Sequence, residues 1–308
     1  MQLVECVPNF SEGRRQAIID SIRDAAAAVA NISVLDVHAD AAHNRMVLTL
    51  VGGPRAAVEA AFCCAERAAQ LIDMRQHVGE HPRIGATDVV PFVPVSGVTL
   101  LDCVALANEL GQRLADELEI PVYLYAEAAR RPGRRWLPDI RKGEFEALQA
   151  EIETDPDRAP DFGPKRLGPA GATAVGARPF LVAYNINLAT PDVEVAREIA
   201  RRVRQSSGGL TAVQARGMAT ADPGLVQVSM NLLDTDQTPL HVVYEAVRGQ
   251  AEERRVEIAG SEIVGLAPLR VLEAAARYYV KASGLAASQV LEARLLDAWR
   301  SMPTRSGE

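Results

Sequence analysis

The chain has 308 residues, 48% of them hydrophobic and 24% charged, with a formal net charge of -7. Those values describe a folded globular protein of about two domains and exclude a disordered or fibrous chain. The acidic balance argues against broad nucleic-acid binding, and the lack of any run of about 18 apolar residues argues against a membrane span.

In chain order, residues 3–7 read as a strand, and residues 9–13 turn into a helix that ends near Ala30. Residues 34–37 and 46–51 are short apolar runs of strand type, the second stopped by Gly52-Gly53-Pro54. Pro54 suits the first turn of a helix that continues through an alanine-rich stretch to about Ile72. A polar segment, 73–87, precedes a strand at 88–93, a helix at 101–118 and a strand at 122–125 behind Pro121. The basic run Arg130, Arg131, Arg134 and Arg135 leads to a short helix near 144–152.

Between 154 and 176 the composition changes. Pro156, Pro160, Pro164 and Pro169 alternate with Gly163, Gly168, Gly171 and Gly176, and no apolar period survives. The segment reads as a linker or an ordered loop at the domain boundary, dividing the chain into 1–177 and 178–308. A strand at 180–188 follows, then a helix from Thr190-Pro191 to about Gln205 with Thr190 as its N-cap. Strands at 210–218 and 225–232 flank the turn Asp222-Pro223-Gly224, and a helix at 240–253 and a strand at 256–264 complete the series. A last helix is expected at 269–281. The second half is therefore β-α-β-β-α-β, a ferredoxin-like unit, and the first half opens with the same order and adds a helix and a strand. The fold class expected is α/β (α+β), with two α/β sandwich subdomains.

Cys6, Cys63, Cys64 and Cys103 contain no C-x-x-C pair and read as free thiols of a reducing cytoplasm. No zinc, calcium or phosphate-loop motif occurs, and His38 and His43 are too loosely spaced for a ligand pair, so no metal is expected. The segment Gly79-Glu80-His81-Pro82-Arg83-Ile84-Gly85-Ala86-Thr87-Asp88 crowds an imidazole, carboxylates and a guanidinium just ahead of a buried strand. Pro82 pushes His81 toward an extended backbone, and a histidine near neutral pH can accept and return a proton. A capped surface loop is the alternative. His77, His43 and His241 read as surface or core histidines. The run from Arg130 to Arg135 reads as a solvated turn or a carboxylate site, and Lys165-Arg166 as a charged linker or an anion site in an interdomain cleft. Asn185 and Asn187 share one strand face by the two-residue period.

Several of these stretches together resemble the glutamate formiminotransferase family. They are residues 3–13 (Leu-Val-Glu-Cys-Val-Pro-Asn-Phe-Ser-Glu-Gly), 79–88 with Pro91-Phe92, and Pro121-Val122-Tyr123-Leu124-Tyr125. Ala159-Pro160-Asp161-Phe162-Gly163-Pro164, Gly176-Ala177-Arg178-Pro179-Phe180 and Asn231-Leu232-Leu233-Asp234 complete them. The resemblance implies transfer of the formimino group of N-formimino-L-glutamate to N5 of tetrahydrofolate, releasing L-glutamate, in histidine catabolism. It implies His81 as catalytic base, a folate-binding loop of Gly163, Pro164, Lys165, Arg166, Leu167, Gly168, Pro169, Ala170 and Gly171, and substrate contacts from Asp36, His38 and Arg178. The family commonly has Asp-x-Asp where this chain has Asp36-Val37-His38. Tetrahydrofolate is then a co-substrate without a metal, the compartment cytoplasmic, and a homodimer a candidate assembly, with neither nucleic acid nor membrane as partner. Alternatives are a non-catalytic folate or amino-acid binder, an RNA-binding sheet, and a transferase using N-formylglutamate.

Overall fold

A computed structural model of the chain describes residues 2–282, 284 and 286–295. Two compact units divide it, Met1–Phe180 and Leu181–Glu308.

The first unit runs β1 (Leu3–Cys6), β2 (Asn9–Phe10), α1 (Gln16–Ala27), β3 (Ile32–Asp40), β4 (Arg45–Gly52), α2 (Pro54–Leu71), β5 (Thr87–Ser96), α3 (Leu100–Leu118), β6 (Val122–Ala126), α4 (Leu137–Ile140), α5 (Glu144–Glu151) and β7 (Thr173–Ala177). The first two strands are one line of chain broken around Pro8, which has no N–H to give a ladder, and both lie between β4 and β5. On the far side β5 pairs with β7 in parallel, and β7 pairs with β6 in parallel. Pro54 occupies the first turn of α2, and Thr99 with Asp102 forms a capping box at the start of α3.

Alternation along the strands divides the sheet into two faces. Val4, Cys6, Phe10, Met46, Leu48 and Leu50 bury against Ile22, Phe62, Cys64, Cys103 and Leu110 of the three long helices. Residues paired directly across antiparallel strands share a face, so Asn9 and Glu5 lie with Arg45, Val47, Thr49 and Val51 on the opposite side. Half of that side is covered, because Tyr123, Tyr125, Val89 and Ala174 pack with Ile140, Leu148 and Ile152 of the α4–α5 region. The half over β4 is more open: Arg45, Val47 and Val51 are part-exposed, with Thr49 buried among them.

Strand β3 is an edge strand with a bulge. Val34 pairs with Leu50 and Asp36 with Thr49, leaving the half-exposed Leu35 as an extra residue. The bulge re-phases the strand, so Ile32, Val34 and Val37 all pack on the helix side. Asp36 and His38 fall on the open face opposite Thr49 and Val47.

The stretch from 154 to 176 is not a link between domains. It lies wholly inside the first unit and ends in β7, inserted between β5 and β6. Sequence periodicity misses this strand because a short, fully buried parallel strand of small residues has no alternation to show. The arginine run ahead of it is spent on folding this segment. Arg134 pairs with Asp161 at 2.7 Å, both almost fully buried. It also donates to the carbonyls of Asp157 and Ala159 and lies 4.9 Å from the centre of the Tyr123 ring. Arg131 donates to the Pro156 carbonyl at 2.9 Å, Arg130 sits 4.3 Å over Phe162, and Arg135 pairs with Glu127.

The second unit contains β8 (Val182–Leu188), α6 (Val193–Val203), β9 (Val213–Ala219), β10 (Val226–Leu232), α7 (Leu240–Glu253), β11 (Ile258–Val264) and α8 (Leu269–Tyr279). Its sheet order, β11-β8-β10-β9 with all pairs antiparallel, is the ferredoxin-like arrangement expected from the element order. Val182, Tyr184, Ile186 and Leu188 face Ala196, Ile199, Val243 and Val247 of the helices. The N-cap of α6 is Asp192, whose carboxylate accepts from the Glu194 N–H, and not Thr190. The Thr190 hydroxyl instead accepts from the Asp192 N–H, because Pro191 holds the chain extended for two more residues. Asn185 and Asn187 share the polar face, where Asn185 and Gln227 both donate to Glu262. No described helix is long and apolar enough to cross a membrane.

Removing Arg134 strands the Asp161 carboxylate in a dry site, a loss worth about 3–5 kcal/mol. Arg134→Met should lower unfolding free energy in urea by that order, and a loss below about 1 kcal/mol would make the pair dispensable.

Candidate active site

The open face of the first unit begins where α4 stops covering the sheet, and there the buried charges gather. Asn9 and Phe10 pair with Val89 and Thr87, so Asp88 is the extra residue of a bulge. A bulge re-aims a side chain, and the fully buried Asp88 carboxylate turns to Arg45, at 3.0 Å, and to Arg141, just after α4. Its other oxygen accepts the Ile84 N–H at 2.9 Å, which ties the segment after His81 to the strand. Arg45 also donates to the Asn9 side-chain carbonyl.

His81 sits against this cluster. Its Nδ1 lies 2.9 Å from Arg45 Nη1 and 2.8 Å from the Pro82 carbonyl oxygen. The His43 ring approaches edge-on at 6.3 Å between centroids, and His43 is held in turn by Asp40 at 2.8 Å. Burial, then the positive charges of Arg45 and Arg141, lower the His81 pKa to about 2. The imidazole is therefore neutral throughout the physiological range. Burial alone would raise the Asp88 carboxyl, but Arg141 and Arg45 outweigh it and hold the group below the usual carboxylate range. Burial, with Arg141 beside it, lowers Arg45 to about 10. Two guanidinium charges against one carboxylate leave the cluster cationic. Arg141 Nε is buried and has no hydrogen-bond partner among the described residues.

Beyond the cluster, burial raises the Tyr125 hydroxyl, against the pull of Arg178 and Arg141. Burial likewise raises Glu5, with Arg178 opposing. Arg178 thus stands beside Tyr125 and Glu5, while Asp36 and His38 lie along β3 on the Arg45 side of the sheet. Arg83 is a structural neighbour: it pairs with Glu144 and Glu146 at 2.5 and 2.6 Å and approaches His77, pinning α5.

The loop Gly163–Gly171 reaches this region at one end only. Gly171 has φ +71°, and a Cβ there would stand 2.3 Å from the Ile84 carbonyl oxygen. Gly85 is as tight, its Cβ position 2.0 Å from the Ala172 oxygen, so the loop end and the segment after His81 meet backbone to backbone. Ala170 accepts the Ala86 N–H and Pro169 the Met74 N–H. Further back, Arg166 to Gly171 line a groove of about 370 Å³ with Ala69 and the chain at Leu118, Glu119 and Ile120. Lys165 and Arg166 are exposed, and Arg166 has only a loose 3.9 Å approach to Glu119. Sequence reasoning reached His81 and Asp88 but missed Arg45, Arg141, Asn9 and Tyr125. An arginine facing a buried strand, such as Arg45 among Met46, Leu48 and Leu50, was the signal available.

Because His81 is neutral in the folded state and titrates near 6.5 when unfolded, the unfolded chain binds the extra proton at acidic pH. Stability from this group is complete above pH 6.5 and is lost progressively as pH falls below it, by up to about 2 kcal/mol at pH 5. Urea unfolding at pH 7 and 5 should show that loss in the wild type and a correspondingly smaller one in His81→Gln. Equal losses in both would mean His81 is protonated in the fold.

Compared with known families, residues 3–178 match the formiminotransferase domain, N-terminal subdomain, and residues 183–296 match the formiminotransferase domain. The chain is 47% identical over 296 residues to the glutamate formimidoyltransferase of Thermoplasma acidophilum, covering 96% of this chain and 98% of that protein. It is 42% identical over 297 residues to the glutamate formimidoyltransferase of Streptococcus pyogenes serotype M1, covering 96% and 99%. Against the formimidoyltransferase-cyclodeaminase of Rattus norvegicus it is 50% identical over 285 residues, covering 90% of this chain but 52% of the longer relative.

Proposed function

The chain belongs to the formiminotransferase family, and from that premise we propose that it is a folate-dependent glutamate formimidoyltransferase. The reaction moves the formimino group of N-formimino-L-glutamate to N5 of tetrahydrofolate, giving 5-formiminotetrahydrofolate and L-glutamate, a step of histidine degradation. The observation that carries the reading is an imidazole seated against two arginines that share one buried carboxylate, within a chain matched along both units.

In this reading N5 of tetrahydrofolate attacks the formimino carbon as a neutral amine. The tetrahedral intermediate then carries a protonated N5 and still holds the glutamate nitrogen. His81 takes the N5 proton and returns one to the glutamate nitrogen as its bond to carbon breaks. A low basicity suits the second half of this shuttle. The N5–H of the intermediate is acidic enough for a weak base, and the imidazolium formed beside two guanidinia is a strong acid toward the departing amine.

Arg45, Arg141 and Arg178 supply positive charge for the carboxylates of the donor, with Asp36 and His38 along the same face as further substrate contacts. The loop of Gly163, Pro164, Lys165, Arg166, Leu167, Gly168, Pro169, Ala170 and Gly171 takes the folate. Its groove and its exposed basic pair support that assignment. Free thiols at Cys6, Cys63, Cys64 and Cys103 support a reducing compartment, read here as the cytoplasm.

A coupled assay with formiminoglutamate and formylglutamate as alternative donors tests the reaction, and turnover with neither removes it. His81→Ala should lower kcat by about 10²–10⁴-fold while folate affinity changes little. Near-normal kcat across pH 6 to 9 would take the role from His81. Reversing both charges at Lys165 and Arg166 should raise the folate KM and flatten its dependence on salt. An unchanged KM at low salt would move the folate tail elsewhere.

A further inference from the structure

His81 Nδ1 has two neighbours that demand opposite things of it. The Pro82 carbonyl oxygen, 2.8 Å away, accepts a hydrogen bond only if Nδ1 carries the proton. The Arg45 guanidinium, 2.9 Å away, always donates and requires a lone pair on Nδ1, which puts the proton on Nε2. The first tautomer leaves Nε2 as a base; the second does not. Arg45 is drawn to the ring because Asp88, its carboxylate partner at 3.0 Å, is shared with Arg141. One carboxylate serves two guanidinia, and Arg141 Nε, on a side chain nine-tenths buried, has no partner among the described residues. The cluster is short of one anion.

Resting on the formimino-transfer reading, we infer that Arg45 and Arg141 form a receptor for a carboxylate of the donor's glutamate moiety, and that filling it switches His81 into its base tautomer. The incoming carboxylate takes the Arg141 Nε–H and a share of Arg45, and the guanidinium withdraws from Nδ1. One proton leaves Nε2 for solvent and one arrives at Nδ1, where it is donated to the Pro82 carbonyl. The ring's net charge is unchanged and Nε2 is left with its lone pair. Arg45 is thus a positioning residue that keeps the base idle until the donor arrives.

The groups facing His81 from every packed element fit this account. They are Arg45 on β4, Asp88 on β5, Arg141 after α4, His43 with Asp40 at the β3–β4 connection, and the exposed Glu80 beside it in the chain, while Tyr125 on β6 stands by Arg45. None of them supplies the missing anion: Asp88 is already divided and Asp40 is engaged by His43.

The test is ¹⁵N NMR of the full chain labelled at histidine, which has 5 such residues, with His81 assigned by His81→Gln. Free protein should show the Nε2–H tautomer. Saturating L-glutamate should convert it to the Nδ1–H tautomer and raise its titration midpoint by about one pH unit or more, the size of an opposite charge brought within a few ångströms. Arg45→Gln should already show Nδ1–H without ligand and respond to glutamate by less than half as much. Arg45→Lys, which keeps the charge, should keep the free-state titration low, and Arg141→Gln gives a second reading should the Arg45 variants fold poorly. Glutamate binding seen by calorimetry with an unchanged His81 tautomer overturns the proposal, as does absence of glutamate binding. A switch produced by folate but not by glutamate or by pteroate, which lacks the glutamate tail, also overturns it. A glutamate-driven switch supports it even in a preparation without formimino transfer, an outcome that would remove the assigned reaction alone.

Discussion

The buried Asp88 carboxylate is the constraint around which the first unit is organised. An ionised carboxyl removed from water is costly unless opposite charge and hydrogen bonds surround it. Here the partners come from three separate places: Arg45 from β4, Arg141 from the end of α4 and the Ile84 N–H from the segment after His81. Satisfying one oxygen pair therefore draws a strand, a helix end and a loop to the same point.

Much of the second unit is legible from sequence because its strands are antiparallel with one face polar. Val226, Val228, Met230 and Leu232 alternate with Gln227, Ser229 and Asn231, a pattern the two-residue period reads directly. Strand β7 offers no such pattern. Thr173-Ala174-Val175-Gly176-Ala177 is buried on both faces between two parallel neighbours, and its small residues look like a continuation of the Pro/Gly loop. From sequence alone the loop therefore reads as a boundary, although the chain passes through the middle of a sheet. The difference between a linker and a core strand lay in pairing partners far away in sequence.

The site divides along the same line. His81 and Asp88 stand in one short, unusual segment and could be singled out locally. Arg45 is 36 residues from His81, and Arg141 is 53 residues from Asp88, so nothing but the fold reveals that they meet. The basic run at 130–135 was ambiguous for the opposite reason. Charge alone attracts attention to it, yet Arg134 and its neighbours are consumed by carbonyls and Asp161 in shaping the stretch that precedes the Gly163–Gly171 loop.

Leu35 is half exposed, and the facing of two candidate substrate contacts depends on its lying outside the ladder. Were Leu35 paired regularly with β4, Asp36 and His38 would keep the phase of Ile32 and Val34 and point into the helix-packed core. What the register requires is that this one backbone unit stay outside the ladder. A single-residue deletion there would join Val34 to Asp36 in the phase they already hold and leave both faces as they are, whereas pairing Leu35 into the ladder would turn polar groups inward and Val37 outward, inverting the strand in one step.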